Sequence, residues 1–122
     1  MSNLNLPTMT YANLSHVLGG RPSKAVAYAT TIERVGQAIY VKHHASVIAV
    51  LEPDLVYVTN AGYESSTTTN RIQQILRANG IPWSVRIRNF SNVIARNFEG
   101  TFEPFTRATF DRLPGHEWEM QA

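Results

Sequence analysis

Residues 65–88, SSTTTNRIQQILRANGIPWSVRIR, contain the clearest change of hydrophobic period in this chain. Apolar residues first recur at helical spacing from Ile72 onward, and the hydroxyl residues before them are candidate N-caps. Gly80 is a typical helix stop, and from Trp83 apolar and polar residues alternate as they do in a half-buried strand. The stretch therefore predicts a helix over about residues 68–79, followed by a strand with one polar face.

Shorter elements are predicted on both sides of this pair. Thr10 can cap a short N-terminal helix over 10–18, which two glycines end. Alternating or apolar β-rich runs predict strands over 26–32, 38–42, 46–51 and 55–59, with turns at 33–36 and 52–54. After residue 90 the pattern supports one or two more short strands. Pro104 would restrict the last of them to a sheet edge, and the tail from Leu113 is predicted to fray or to form oligomer contacts.

These elements predict a single α+β domain over residues 1–122. It has an antiparallel sheet of about five or six strands, one principal helix and a short N-terminal helix. A chain of 122 residues is long enough to bury one core, and 43% hydrophobic residues are typical of a folded protein. No residue is a cysteine, which excludes a disulfide scaffold, a Cys-ligated zinc site and a thiol nucleophile. No apolar run reaches the length of a membrane span, and the N-terminus does not resemble a signal peptide, so we expect a cytoplasmic protein without a membrane partner.

Residues 65–98 include five arginines and no acidic residue. The five are Arg71, Arg77, Arg86, Arg88 and Arg96. A guanidinium group offers a planar pair of donors that suits phosphate or carboxylate. Because the formal net charge of the chain is only +2, anion binding has to depend on this local cluster.

The strongest candidate site is the start of the principal helix. The turn Asn60, Ala61, Gly62 and Tyr63 precedes it, and Thr67, Thr68, Thr69 and Arg71 belong to its first residues. Unpaired N–H groups at a helix N-terminus, together with hydroxyls and an arginine, can bind phosphate. The alternative is that the threonines only cap the helix and Gly62 only forms a turn.

Arg86 and Arg88 share one face of the predicted strand and could bind the same anion or a nucleic-acid backbone. The alternative is an ordinary solvated strand face. Trp83 lies on the other face and is predicted to be core. Adjacent His43 and His44 would point to opposite faces of a strand, so they could share a metal only if a turn placed them together.

Signs of catalysis are missing from the sequence. No carboxylate pair has a diagnostic spacing, no serine lies in a Gly-x-Ser-x-Gly elbow, and no glycine-rich nucleotide fingerprint follows a strand. We therefore predict a protein that is not an enzyme and that needs no cofactor and no metal.

Five short motifs occur in the order found in a widespread family of small phage-encoded proteins, which the chain resembles. They are LGGR at 18–21, HASVI at 44–48, PD at 53–54, NAGY at 60–63 and TTTNRI at 67–72. The family tends to have Ser or Thr followed by two glycines where this chain has Ala61 and one glycine. The order of elements is also similar to that of the Thoeris anti-defence sponges, phage proteins that sequester cyclic ADP-ribose signals in an oligomer without degrading them. This similarity implies ligand contacts from Asn60 and Tyr63, with residues near Val50 and Leu51, and from arginines at the pyrophosphate.

The sequence hypothesis is thus a homo-oligomeric phage protein of the host cytoplasm that sequesters an anionic, cyclic or ADP-ribose-type nucleotide to counter host defence. Its predicted ligand-binding residues are Asn60, Gly62, Tyr63, Thr67, Thr68, Thr69, Arg71, Arg86 and Arg88. One alternative is a nucleic-acid-binding accessory protein that uses the same arginines. Another is a protein-binding inhibitor or virion component with an apolar patch at Phe98, Phe102, Phe105 and Phe110.

Overall fold

A computed structural model describes residues 6–121 and confirms the α+β class. Within these residues there are two helices and ten strands. The helices are α1 (Tyr11–Leu18) and α2 (Ser66–Ala78). The strands are β1 (Ser23–Ala27), β2 (Thr30–Val35), β3 (Ala38–His43), β4 (Ser46–Glu52), β5 (Leu55–Thr59), β6 (Trp83–Arg88), β7 (Ser91–Arg96), β8 (Glu103–Pro104), β9 (Arg107–Asp111) and β10 (Glu119–Met120).

The strands form two antiparallel sheets instead of the single sheet of five or six strands that we predicted. The larger sheet has the order β1-β2-β3-β4-β5-β9-β10, and the smaller has the order β6-β7-β8. Consecutive hairpins build the first five strands of the larger sheet, and β9 then returns to pair with β5. Pro104 lies in β8 at a free edge of the smaller sheet, as predicted.

The prediction of one strand over residues 26–32 is wrong, because the chain makes a hairpin turn inside it. Ala27 pairs with Thr30, so that Tyr28 and Ala29 form a two-residue turn. Ala29 has a φ of 53°, and the hydroxyl of Thr30 donates to the carbonyl of Tyr28 at 2.9 Å. A two-residue turn alone would change the phase of the alternation, but the register shift between Ala25 and Ala27 restores it. The left-handed position is held by alanine instead of the usual glycine or asparagine, so the sequence shows no turn signal.

Helix α2 begins two residues before the predicted position. Ser65 is the N-cap, and its hydroxyl accepts a hydrogen bond from the Thr68 N–H at 3.2 Å. Gly80 follows the helix with a φ of 70°, as expected for a helix stop. The helix packs mainly against β6 and also touches β4. The buried face of α2 is wider than the predicted stripe, because Thr68, Thr69 and Arg71 are buried along with the isoleucines and leucine.

The core contains residues of α1, α2 and both sheets. Trp83 is buried as predicted, with its ring centroid 5.3 Å from that of Phe110. Phe105 is also buried, so the four phenylalanines proposed for an apolar patch do not form one. The prediction that the tail from Leu113 frays is wrong, because Trp118 is buried and β10 pairs with β9. Neither helix in residues 6–121 has the length and apolar character needed to cross a membrane.

Candidate ligand pocket

A pocket of about 460 Å³ lies at one end of the larger sheet. Four segments meet there: the β1–β2 turn, the β3–β4 turn, the loop after β5 and the first turn of α2. The side chains that characterise it are Tyr28, His43, His44, Tyr63, Thr67 and Thr68. The pocket therefore combines aromatic, imidazole and hydroxyl groups at a helix N-terminus.

The two turns of the sheet are joined through the backbone of His44. This residue has a φ of 57°, and its N–H donates to the carbonyl of Ala29 at 2.6 Å. Because His44 belongs to the turn, the rings of His43 and His44 lie side by side with their centroids 4.5 Å apart. The ring of Tyr28 meets that of His44 edge-on at 6.5 Å. These three rings form a continuous wall of the pocket, and of the two alternatives for the histidines, a strand or a turn, the structure shows the turn.

His43 has a buried nitrogen that the protein itself does not satisfy. The side chain is 6% exposed, and in the described part of the chain its Nδ1 atom has no hydrogen-bond partner. Burial lowers the pKa of His43, and electrostatic interactions with His44 and Arg71 lower this pKa further. The imidazole is therefore neutral at pH 7. A buried polar atom without a partner is costly, so a polar group of a ligand at this position would remove a penalty.

Arg71 is buried close to the pocket. The prediction that it faces solvent is therefore wrong. Its Nε donates to the Thr30 hydroxyl at 3.1 Å, and one terminal nitrogen donates to Gln74 at 3.3 Å. Residue 71 follows Thr68 by three positions and precedes Ile75 by four, so all three lie on the buried helix face. Burial lowers the pKa of Arg71, but arginine keeps its charge in proteins. Arg71 thus supplies a positive field behind the pocket wall, and it is not among the residues that line the pocket.

Three other predicted site residues shape the loop and do not line the pocket. The Asn60 side chain is buried; its amide donates to Asn92 at 3.0 Å, and its oxygen accepts from the Gly62 N–H at 2.9 Å. Gly62 has a φ of 85° in this turn. The hydroxyl of Thr69 donates to the carbonyl of Ser65 at 2.8 Å and accepts from Asn92 at 2.8 Å. These contacts hold Tyr63 and the start of α2 in place.

The remaining predicted positions lie elsewhere. Arg86 and Arg88 belong to β6 of the smaller sheet, where their guanidinium carbons lie 5.4 and 4.9 Å from the ring centroid of Phe102. Leu51 is buried in the core, and neither it nor Val50 lines the pocket. Sequence reasoning missed Tyr28 and the role of the histidines as a pair. The only signal for them was the His43-His44 dipeptide next to an apolar strand.

The charge around the pocket favours an anion. The first turn of α2 contains no acidic residue, and its leading N–H groups have no acceptor within the helix. The nearby Glu64 carboxylate accepts a hydrogen bond from the backbone N–H of Asn92 at 2.9 Å. Within residues 6–121, no three His, Asp or Glu side chains come together as a set of metal ligands. The two histidines alone do not complete a closed metal site.

Comparisons with known proteins identify a family. Residues 7–115 match the family model described as Kyanoviridae Gp96 protein, and this range contains every element from α1 to β9. A search of curated proteins and a search of solved structures each produced no match. The matching model is that of a phage family and covers most of the chain. The protein is therefore phage-encoded and belongs to the Kyanoviridae Gp96 protein family.

Proposed function

We propose that this phage protein binds an anionic nucleotide in the pocket at the N-terminus of α2 and holds it without changing it chemically. The observation that carries the proposal is the combination found there: two exposed tyrosines, a helix N-terminus with the exposed Thr67 hydroxyl, and a buried His43 Nδ1 atom without a partner in the described chain. A volume of about 460 Å³ lies within the range of small-molecule sites.

Each part of a nucleotide has a matching group in the pocket. Tyr28 is 74% exposed and Tyr63 is 59% exposed, so either ring can stack on a base. The exposed Thr67 hydroxyl and the backbone N–H groups of Ser66 and Thr67, which precede the capped Thr68 N–H, suit a phosphate. The helix dipole and Arg71 favour its charge. A polar group of the ligand next to His43 satisfies its Nδ1 atom.

The absence of catalysis is part of the proposal. Among the described residues, the pocket walls include no thiol and no carboxylate that would orient a histidine as a general base toward a hydroxyl. Binding without turnover is the property that sequestration requires. The more specific role, sequestration of a cyclic or ADP-ribose-type immune signal in the host cytoplasm by an oligomer, is supported by the similarity to the Thoeris sponges.

A ligand panel tests binding and the position of the site together. Thermal unfolding is measured with cyclic mononucleotides, cyclic dinucleotides, ADP-ribose and cyclic ADP-ribose, and calorimetry then gives the affinity of any ligand that raises the melting temperature. Tyr63→Ala should weaken binding by about 5- to 150-fold, because base stacking contributes about 1–3 kcal/mol. Leu113→Ala is the control, since Leu113 is an exposed apolar residue that does not line the pocket.

Recovery of the ligand tests the non-enzymatic part. After incubation and denaturation of the complex, chromatography should return the intact ligand in a fixed ratio to protein. A processed product would contradict storage without turnover. A panel in which no nucleotide shifts the melting temperature, or in which Tyr63→Ala binds as the native protein does, would contradict the proposed site.

A further inference from the structure

A second surface, on the opposite half of α2, has the chemistry of a nucleic-acid site. A groove of about 810 Å³ runs between the second half of α2 and the β6–β7 hairpin. We call it the arginine–phenylalanine groove and define it by Arg77, Arg86, Phe98 and Phe102, which line it, and Arg88, which adjoins Phe102. It shares no lining residue with the pocket described above.

The cations of this groove are available for an external anion. Arg77, Arg86 and Arg88 are exposed, and in the described part of the chain none of them forms an ion pair. The one acidic side chain that lines the groove is Glu99, which pairs with Arg96 at 3.2 Å. The surface therefore carries three arginines whose charges no nearby carboxylate neutralises.

Aromatic rings alternate with these cations. The Phe102 ring contacts both Arg86 and Arg88, whose guanidinium carbons lie 5.4 and 4.9 Å from its centroid. Phe98 is fully exposed at one end of β7, and Phe90, 94% exposed, lies at the other end. Both have positive φ angles, 70° and 67°, in a region that bulky side chains rarely adopt. At Phe90 the positive φ is that of a two-residue hairpin turn, in which Asn89 also has a φ of 51°.

We propose that the arginine–phenylalanine groove binds single-stranded nucleic acid. Cations spread along a strand and a helix suit the repeated phosphates of a polymer, whereas a single small anion is best bound by groups that converge on one point. Exposed rings next to the cations can stack on unpaired bases, whose faces are hidden in a duplex. The inference does not depend on nucleotide binding in the other pocket.

Fluorescence anisotropy with labelled oligothymidylate and oligouridylate of about 12 nucleotides, and with a duplex of the same length, tests the inference. If three phosphates are contacted, log K should fall with log salt at a slope of about −2, so that affinity drops about 20-fold between 50 and 200 mM salt. Replacing both Arg86 and Arg88 by glutamine should reduce that slope to about −0.7. Arg107→Gln removes an exposed arginine of β9 and is the matched control.

The phenylalanines are tested separately, since they should contribute stacking without charge. Phe98→Ala should weaken single-strand binding about tenfold and leave the salt slope unchanged. Because Phe98 is fully exposed, this variant should keep its fold, which circular dichroism checks. The inference is overturned if no single-stranded probe binds at 50 mM salt, if the duplex binds equally well, or if the arginine pair and Phe98 variants bind as Arg107→Gln does. An absence of binding would instead favour a protein partner for this groove.

Discussion

The buried side chain of Asn92 connects the two sheets and the start of α2, and we predict that Asn92→Ala destabilises the protein strongly. Its oxygen accepts from the Asn60 amide at 3.0 Å. Its nitrogen donates to the Thr69 hydroxyl at 2.8 Å and to the carbonyl of Arg86 at 3.3 Å. A truncation to alanine removes these three hydrogen bonds and keeps the backbone bonds of residue 92 to Glu64 and Phe105.

The expected loss is about 3 kcal/mol, since each buried hydrogen bond contributes about 1 kcal/mol. Two remaining hydrogen bonds limit the loss. The Asn60 amide still donates to the Phe105 carbonyl at 3.3 Å, and the Thr69 hydroxyl still donates to the Ser65 carbonyl. A loss of this size leaves a domain of ordinary stability folded. Asn92→Asp should cost at least as much, because it buries a charge and turns an acceptor toward the Arg86 carbonyl.

Urea unfolding followed by tryptophan fluorescence measures the effect, since both tryptophans are buried. With a typical slope of about 1.5 kcal/mol/M, the midpoint should fall by about 2 M. Asn70→Ala is the control, because Asn70 is exposed on α2 and its loss should change stability little. If Asn92→Ala costs less than about 1 kcal/mol, the network does not hold the two sheets together as we argue.

Three further predictions concern the pocket. The pKa of His43 is lowered in the folded state, so the unfolded chain binds a proton first as the pH falls. Stability that is fully present above about pH 6.5 should therefore be lost as the pH falls below this value, and the loss should be smaller in His43→Gln. Urea titrations at each pH measure the effect, with His16→Gln as the control substitution. The negative charge of a cyclic phosphodiester nucleotide bound beside His43 should raise the pKa of this histidine. Calorimetry near pH 6 in two buffers of different ionisation enthalpy should therefore detect proton uptake on binding. If no proton is taken up, the ligand does not bind next to His43. Ser65→Ala should destabilise the protein by about 1 kcal/mol through loss of the N-cap, whereas Ser66→Ala, one position later and exposed, should not.

The local part of the fold could be predicted from the sequence, because it depends on period and on turn residues. The change of period between residues 79 and 83 located α2 and β6, and Gly80 marked the end of the helix. The β1–β2 turn could not be predicted, because Ala29 adopts a left-handed conformation that alanine rarely occupies. The strand β9 completes the larger sheet by pairing with β5, which is distant in sequence, so no local pattern reports the contact; β10 then pairs with the nearby β9.

The candidate site was only partly predictable for a similar reason. Tyr63, Thr67 and Thr68 follow from their position at a helix start, and the structure brings them together. The same pocket also contains Tyr28, His43 and His44. They reach it because a backbone hydrogen bond joins the β1–β2 and β3–β4 turns, and this bond depends on the register of β1, β2 and β3. Arg71 is buried although it was predicted to face solvent. The sheets that α2 covers determine how wide its buried face is, and the hydrophobic periodicity of α2 does not reveal that width.

The acid-free stretch from residue 65 to 98 corresponds to one continuous unit, α2 with the β6–β7 hairpin. Gln73 attaches the helix to the sheet edge by accepting a hydrogen bond from the Val85 N–H at 2.9 Å. The arginines of this unit do not converge, because Arg71 turns inward toward the pocket while Arg77 and Arg86 face the groove. A lack of acidic residues therefore has a separate physical consequence at each end of α2. At its first turn it leaves the positive helix terminus uncompensated, and along β6 it leaves the arginines open to a polyanion.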